Sequence, residues 1–342
     1  MARQEILDVF TADVVLDYAA NRVTPVKLGQ QLFPETKVPG LEMDMIKAGS
    51  RVPVIASVHA FDSESEIASR EGSVSAQELA LIKRKIQIKE RELVKLREPR
   101  NQAEQEFLMG QVFNDVEKMI GAVEARVELM RMDVLANGKV TINENGLNKV
   151  IDYGVSDSQK ITLTGGALWN SGQADIMGNL LDWANLVDVT PTRALTSSRV
   201  IAAMMKDPTV QGYFKTMGVL PSKAALNQML ESMGLPKLMA YDAKYRVQNA
   251  DGTYTAKRYF PENKIVLLND VLPGETIFGT TPEESRIAPQ VSTDTVVGNV
   301  FATIYEETKD PIGTWTKASA VALPSFPEAD NVVQATVLPA SV

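Results

Sequence analysis

The side chains best suited to chemistry are few in this 342-residue chain. His59 is the only histidine and cysteine is absent, so a Ser-His-Asp relay would have to be built around one residue, and thiolate nucleophiles and cysteine-ligated zinc are excluded. His59 falls on the outer face of an expected strand and reads as structural. Asp175, Asp182 and Asp188 could serve as magnesium ligands, but their spacing is that of helix surfaces and caps. Gly165-Gly166 has neither the spacing nor the following lysine of a phosphate loop and reads as a turn; no dinucleotide GxGxxG or EF-hand pattern occurs. Trp169, Trp183 and Trp315 suggest a ligand cage less than they suggest packing. No catalytic, cofactor-binding or metal-binding residue is assigned.

Charge is more informative. From Lys83 to Arg100 eight bases stand against three acids. No aromatic residue is interleaved to stack a base and the acids interrupt a phosphate track, so complementarity to another protein surface is the better reading, with a solvated face beside it. Upstream, "DSESEIASRE" carries Asp62, Glu64, Glu66 and Glu71 against Arg70.

The elements that must position these charges follow from periodicity. In residues 1–34 apolar positions allow one or two helical turns before Pro34 and Pro39 forbid continuation, which gives an arm. Val52, Val54, Ala56, Val58 and Ala60 alternate as a half-buried strand does, and "IKRKIQIKE", with Ile82, Ile86 and Ile88 alternating with Lys85, Gln87 and Lys89, is its expected partner in a long hairpin. A two-stranded hairpin is marginal alone in water, so it implies something to lie against. Val112, Val116, Met119, Val123, Val127, Met130 and Val134 then keep a helical spacing, giving one apolar stripe flanked by charges. Asn101 with Glu104 caps the start and Asn137-Gly138 supplies a left-handed stop, so the helix should run over 101–137 and span about 50 Å. Strands turning at Asn145-Gly146 should follow; then helices in "SSRVIAAMMKDP" and "PSKAALNQMLESMG", the second stopped by Gly234; then a hairpin turning at Asp251-Gly252. The strand-rich tail from Val296 is expected to return to the sheet beside the long helix.

Composition bounds the function. Forty-four per cent apolar content supports a globular chain of two or three domains, and a net charge of -8 opposes phosphate binding by the surface as a whole. The start "MARQEILDVF" lacks a signal-peptide layout and no run of about 18 uncharged apolar residues occurs, so neither secretion by that route nor a membrane span is expected.

The order of arm, long hairpin, spine helix, sheet, inserted α+β region and returning strands resembles the lambda-type major capsid (head) proteins of tailed bacteriophages, which have the Hong Kong 97 fold. The stretches that carry it are "LFPETKVPG", the spine followed by "GKVTI", "VIDYG", "LTGGALW", "YDAKYRVQNADGTYTAKRYFPENKIVLL" and "DPIGTWTKASAVALP". The resemblance implies an α+β fold with an N-terminal arm (1–38), an extended loop (39–98), a peripheral domain (99–166) holding the spine, an axial domain (167–295) and C-terminal strands (296–342) rejoining the peripheral domain. It implies pentamers and hexamers in an icosahedral shell around packaged double-stranded DNA held without sequence-specific binding. Scaffold, portal and decoration proteins would be partners; no cofactor, no membrane and no enzymatic activity are implied. The virion would be its location, and the host cytoplasm its place of assembly. Asp62, Glu64 and Glu66 on one subunit and Arg84, Lys85, Lys89 and Arg91 on the next are the candidate contact residues.

Two rivals stay open at the level of sequence. An encapsulin-type compartment of the same fold would enclose a cargo enzyme instead of DNA, and a hydrolase would use carboxylates in a cleft the sequence does not reveal.

Overall fold

The computed structural model describes residues 10–22, 25–47, 73–88, 95, 101–144, 146–287, 298–307 and 313–340. Helix α1 (Ala12–Asn21) starts on Thr11, whose hydroxyl accepts the Val14 amide, and α2 (Leu28–Leu32) stops before Pro34. Strands β1 (Glu35–Lys37), β2 (Glu42–Lys47), β3 (Ser73–Glu78) and β4 (Ala80–Ile88) precede the long helix α3 (Gln102–Asn137). Strands β5 (Lys139–Glu144), β6 (Leu147–Asp152) and β7 (Lys160–Thr162) follow, then α4 (Ile176–Ala184), β8 (Arg193–Thr196), α5 (Ser198–Lys206), α6 (Pro208–Met217), α7 (Lys223–Ser232) and β9 (Lys237–Ala240). The remainder is β10 (Lys244–Gln248), β11 (Tyr254–Arg258), β12 (Lys264–Leu268), β13 (Thr276–Gly279), α8 (Pro282–Ile287), β14 (Phe301–Glu307), β15 (Gly313–Pro324) and β16 (Val333–Thr336).

Both ends of α3 are set by local chemistry. The Asn101 side chain accepts the Glu104 amide at 2.8 Å, and Gly138 takes a φ of 65°, a left-handed conformation that costs glycine nothing. All seven residues of the apolar stripe are buried, none more than 6% exposed, each contributing about 1.5–3 kcal/mol relative to exposure. Two charges are buried with them, Glu128 and Arg131, which the simple picture of an apolar stripe with charged flanks does not contain. Glu128 accepts the Gly29 amide at 3.0 Å, and a Cβ at Gly29 would have to displace its carboxylate.

The chain divides into two compact units. The first comprises residues 1–43, 77–128 and 276–324. Its centre is β15, with β4 antiparallel along one edge and β14 and β13 sharing the other at residues 313–319 and 321–324; β1 adds to β13 in parallel. The described partner of β4 is therefore β15, more than 200 residues away in sequence, whereas its expected partner from Val52 to Ala60 lies outside the described residues. Strands β2 and β3 instead form a two-stranded sheet of their own. The expected arm also packs within its own chain: Val15 and Leu16 are buried, α1 lies against β14, and the rings of Phe10 and Tyr18 sit 5.0 and 4.9 Å from that of Phe113.

The second unit comprises residues 44–76, 129–275 and 325–342. Its sheet has the order β7-β16-β12-β8-β9, and α4 to α7 bury Leu180, Val200, Met204, Phe214, Leu226 and Leu230 in its core. The last carbonyls of α3 find partners here: Lys264 Nζ donates to Ala136 O (3.0 Å) and Asn137 Oδ1 (2.7 Å), and Gln334 Nε2 to Leu135 O (2.8 Å) and Val134 O (3.1 Å). The hairpins β5–β6 and β10–β11 turn at Gly146 and Gly252, both with positive φ, where the Asn-Gly and Asp-Gly pairs place them. Two helices beyond the expected pair occur, α4 and α6. Strand β16 lies between β7 and β12, so the tail from Val296 does not return to one sheet but divides between the units.

Candidate subunit-contact site

Period two decides which side chains of β4 share a face. Ile82 and Ile86 are half-buried and Ile88 buried, while Lys83, Lys85 and Gln87 point the other way and are exposed. The register sets Lys85 opposite Lys317 and Lys83 opposite Ser319, with Gln87 opposite Trp315. Two ammonium groups directly across a strand pair repel. The structure separates them chemically: Lys317 Nζ bonds the Glu283 carboxylate from α8, while Lys85 Nζ sits 4.0 Å from the centroid of the Trp315 ring, where the face of the indole attracts a cation.

Glu283 serves several donors. Lys83 Nζ stands 3.0 Å from Oε1, the oxygen that Lys317 also reaches, and the Ser319 hydroxyl donates to Oε2 at 3.2 Å. Burial pushes the Glu283 carboxyl upward, but the hydrogen bonds from Lys317 and Lys83 outweigh it and hold the pKa at about 2. Lys83, Arg84, Lys85, Lys317 and Tyr305 together line a cleft of about 270 Å³. Four of the five residues that line the cleft are cationic, and Glu283 bonds two of them, in a chain whose net charge is -8.

Of the candidate contact residues, Arg84 and Lys85 are brought to this cleft, while Asp62, Glu64, Glu66, Lys89 and Arg91 lie outside the described residues. Lys317, Tyr305 and Glu283 were not singled out in the sequence. The alternation of Trp315 and Lys317 in "TWTKAS" places both on one strand face, but only the long-range pairing of β4 with β15 brings that face to the basic run. Trp315 is thus more than packing, whereas Trp169 and Trp183 are packed: both are buried, with rings stacked 5.7 Å apart.

Two of the other chemical candidates sit in structural roles. Asp175 is the N-cap of α4, accepting the Gly178 amide at 2.9 Å, and Gly165 opens a single turn of 3-10 helix. His59 lies outside the described residues. Among the described residues no group of three or more His, Cys, Asp or Glu is placed to hold a metal ion, and no helix is long and apolar enough to cross a membrane. The arrangement can attract and hold anionic groups.

Comparison with known proteins agrees with a structural part. No curated protein sequence matches the chain. Among solved structures, a candidate prophage capsid protein of E. coli CFT073 is 14% identical, with 98% of this chain and 100% of that one covered at a TM-score of 0.61. A phage-related protein from Bordetella bronchiseptica RB50 is 11% identical, with 96% and 98% covered and a TM-score of 0.55. The capsid of Myoviridae phage XM1 is 11% identical over 93% and 95%, with a TM-score of 0.47. The α+β architecture is the Hong Kong 97-type capsid fold. A family model described as phage major capsid protein E matches residues 11–337, a span that takes in every element from α1 to β16. A match of that length places the chain in the phage major capsid protein E family, whose members are structural proteins of the head and not enzymes.

Proposed function

We propose that many copies of this chain, grouped as pentamers and hexamers, close an icosahedral shell around packaged double-stranded DNA. The family match over residues 11–337 carries this reading. In it, residues 99–166 with β14 and β15 form the peripheral domain, 167–295, whose sheet β16 joins, the axial domain, and 1–38 and 39–98 the arm and extended loop. Scaffold, portal and decoration proteins are the partners that such a shell requires, and assembly takes place in the host cytoplasm. The subunit's charge of -8 favours a wall that encloses DNA without adhering to it.

The positive cleft supports a contact between copies in which Arg84 and Lys85, continued by Lys89 and Arg91, meet acidic side chains of the kind that Asp62, Glu64 and Glu66 supply. Each exposed pair would contribute only about 0–1 kcal/mol, but the contact repeats throughout a shell. The double substitution Arg84→Glu with Lys89→Glu should leave the circular dichroism of unassembled subunits unchanged and lower shell yield, most of all at low salt. Wild-type yield at every ionic strength would show that the basic strand is only a solvated face.

A further inference from the structure

The hairpin β10–β11 is a second concentration of positive charge, about 160 residues beyond the basic run of β4 in sequence. Its register runs from Lys244 opposite Arg258 to Gln248 opposite Tyr254, and every residue from Arg246 to Lys257 is exposed. Both faces stand open: Val247 on one is 36% exposed and Tyr254 on the other 54%. A two-stranded ribbon with neither face against a core is marginal in water.

The base of the ribbon is well anchored. Arg258 bonds Asp242 at 2.5 Å and Glu262 at 3.3 Å, and the rings of Tyr245 and Tyr259 lie 5.1 Å apart. The outer cations are not neutralised in this way: Lys244, Arg246 and Lys257 have no carboxylate within 4.0 Å among the described residues, and Arg246 lies over the Tyr254 ring at 5.2 Å. Asp251, the one acid of the ribbon, is held in the turn, accepting the Thr253 amide and hydroxyl at 2.9 and 2.6 Å. Without the four bases and one acid of residues 244–258, the rest of the chain carries 31 bases against 42 acids, a net of -11.

We propose that the β10–β11 ribbon is a docking arm for a carboxylate-bearing surface of a second copy of this chain, with Lys244 and Arg246 beside the apolar anchor Tyr254 on one face and Lys257 on the other. The proposal rests on the reading that the chain assembles. The rest of the chain carries a net -11, so a second copy offers the complementary charge, and arginine and tyrosine are both enriched at protein interfaces. A nucleic acid fits less well, since three cations on an acidic chain make a weak phosphate track.

Zero-length carbodiimide coupling tests this directly, because it joins a lysine amine only to a carboxylate in contact with it. Shells assembled from equal parts of ¹⁴N- and ¹⁵N-labelled subunits should yield Lys244 or Lys257 joined to an Asp or Glu peptide in mixed-isotope pairs. Same-label pairs alone, or no coupling at these lysines, would overturn the proposal. The variant Arg246→Glu with Lys257→Glu, its subunit circular dichroism unchanged, should raise the concentration for half-assembly about tenfold at low salt and much less at high salt. Wild-type assembly of this variant, with binding of a 30-base-pair duplex lost, would make the ribbon a nucleic-acid element and sink the proposal alone. Failure of the wild-type chain to assemble at all would remove both the proposal and the reading beneath it.

Discussion

Replacing Glu283 by glutamine should cost stability in a way that depends on pH with a definite sign. Glutamine keeps the size of the side chain but removes the charge that Lys83 and Lys317 share. A folded-state pKa of about 2 against 4.5 sets a ceiling of about 3.4 kcal/mol at neutral pH. The carboxyl is partly open to solvent, which screens the pair, so about 1–2 kcal/mol is the expected cost. Because the folded pKa is depressed, the contribution is complete above pH 4.5 and is lost as pH falls toward 2. Thermal unfolding of unassembled subunits, wild type beside variant, at pH 6, 3.5 and 2.5 reads this out. The gap in Tm should be a few degrees at pH 6, shrink at pH 3.5 and nearly close at pH 2.5, and it should narrow in high salt. A gap that is constant from pH 6 to 2.5, or that widens in acid, would refute the ion-pair account of the cleft.

Two further substitutions test the long helix. Val123→Pro removes a helix hydrogen bond and clashes with the preceding turn at a fully buried position, so it should cost about 3 kcal/mol or more and abolish shells; wild-type shell yield would place the helix wrongly. Gly138→Ala imposes a side chain at a φ of 65° with its Cβ 2.8 Å from Val155 Cγ2, so subunit Tm should fall by several degrees, and an unchanged Tm would contradict the left-handed stop.

The long helix was legible because three independent local signals coincide: an apolar stripe kept over seven residues, an Asn101 cap and an Asn-Gly stop. All of them act within one turn of the residues they govern. Helix α6 was missed for a physical reason. The helix expected in "SSRVIAAMMKDP" leaves Asp207-Pro208 at its end, yet proline suits the first turn of a helix, and the Asp207 side chain accepts the Thr209 and Val210 amides to open one. The pairing of β4 with β15 and the parallel pairing of β1 with β13 join segments hundreds of residues apart, and no local periodicity specifies such partners. The candidate site divides along the same line. A basic run in β4 is visible in composition, whereas the glutamate that neutralises part of it comes from α8 and the tryptophan that receives Lys85 from β15.

The central claim is that this chain is a tile whose function appears only in many copies. Sedimentation of the purified 37.4-kDa chain over a wide concentration range, with negative-stain micrographs of the fastest fraction, tests it most directly. Rings of five or six subunits and closed shells of megadalton mass are the predicted result. A species that stays at 37.4 kDa at every concentration and ionic strength would contradict the account.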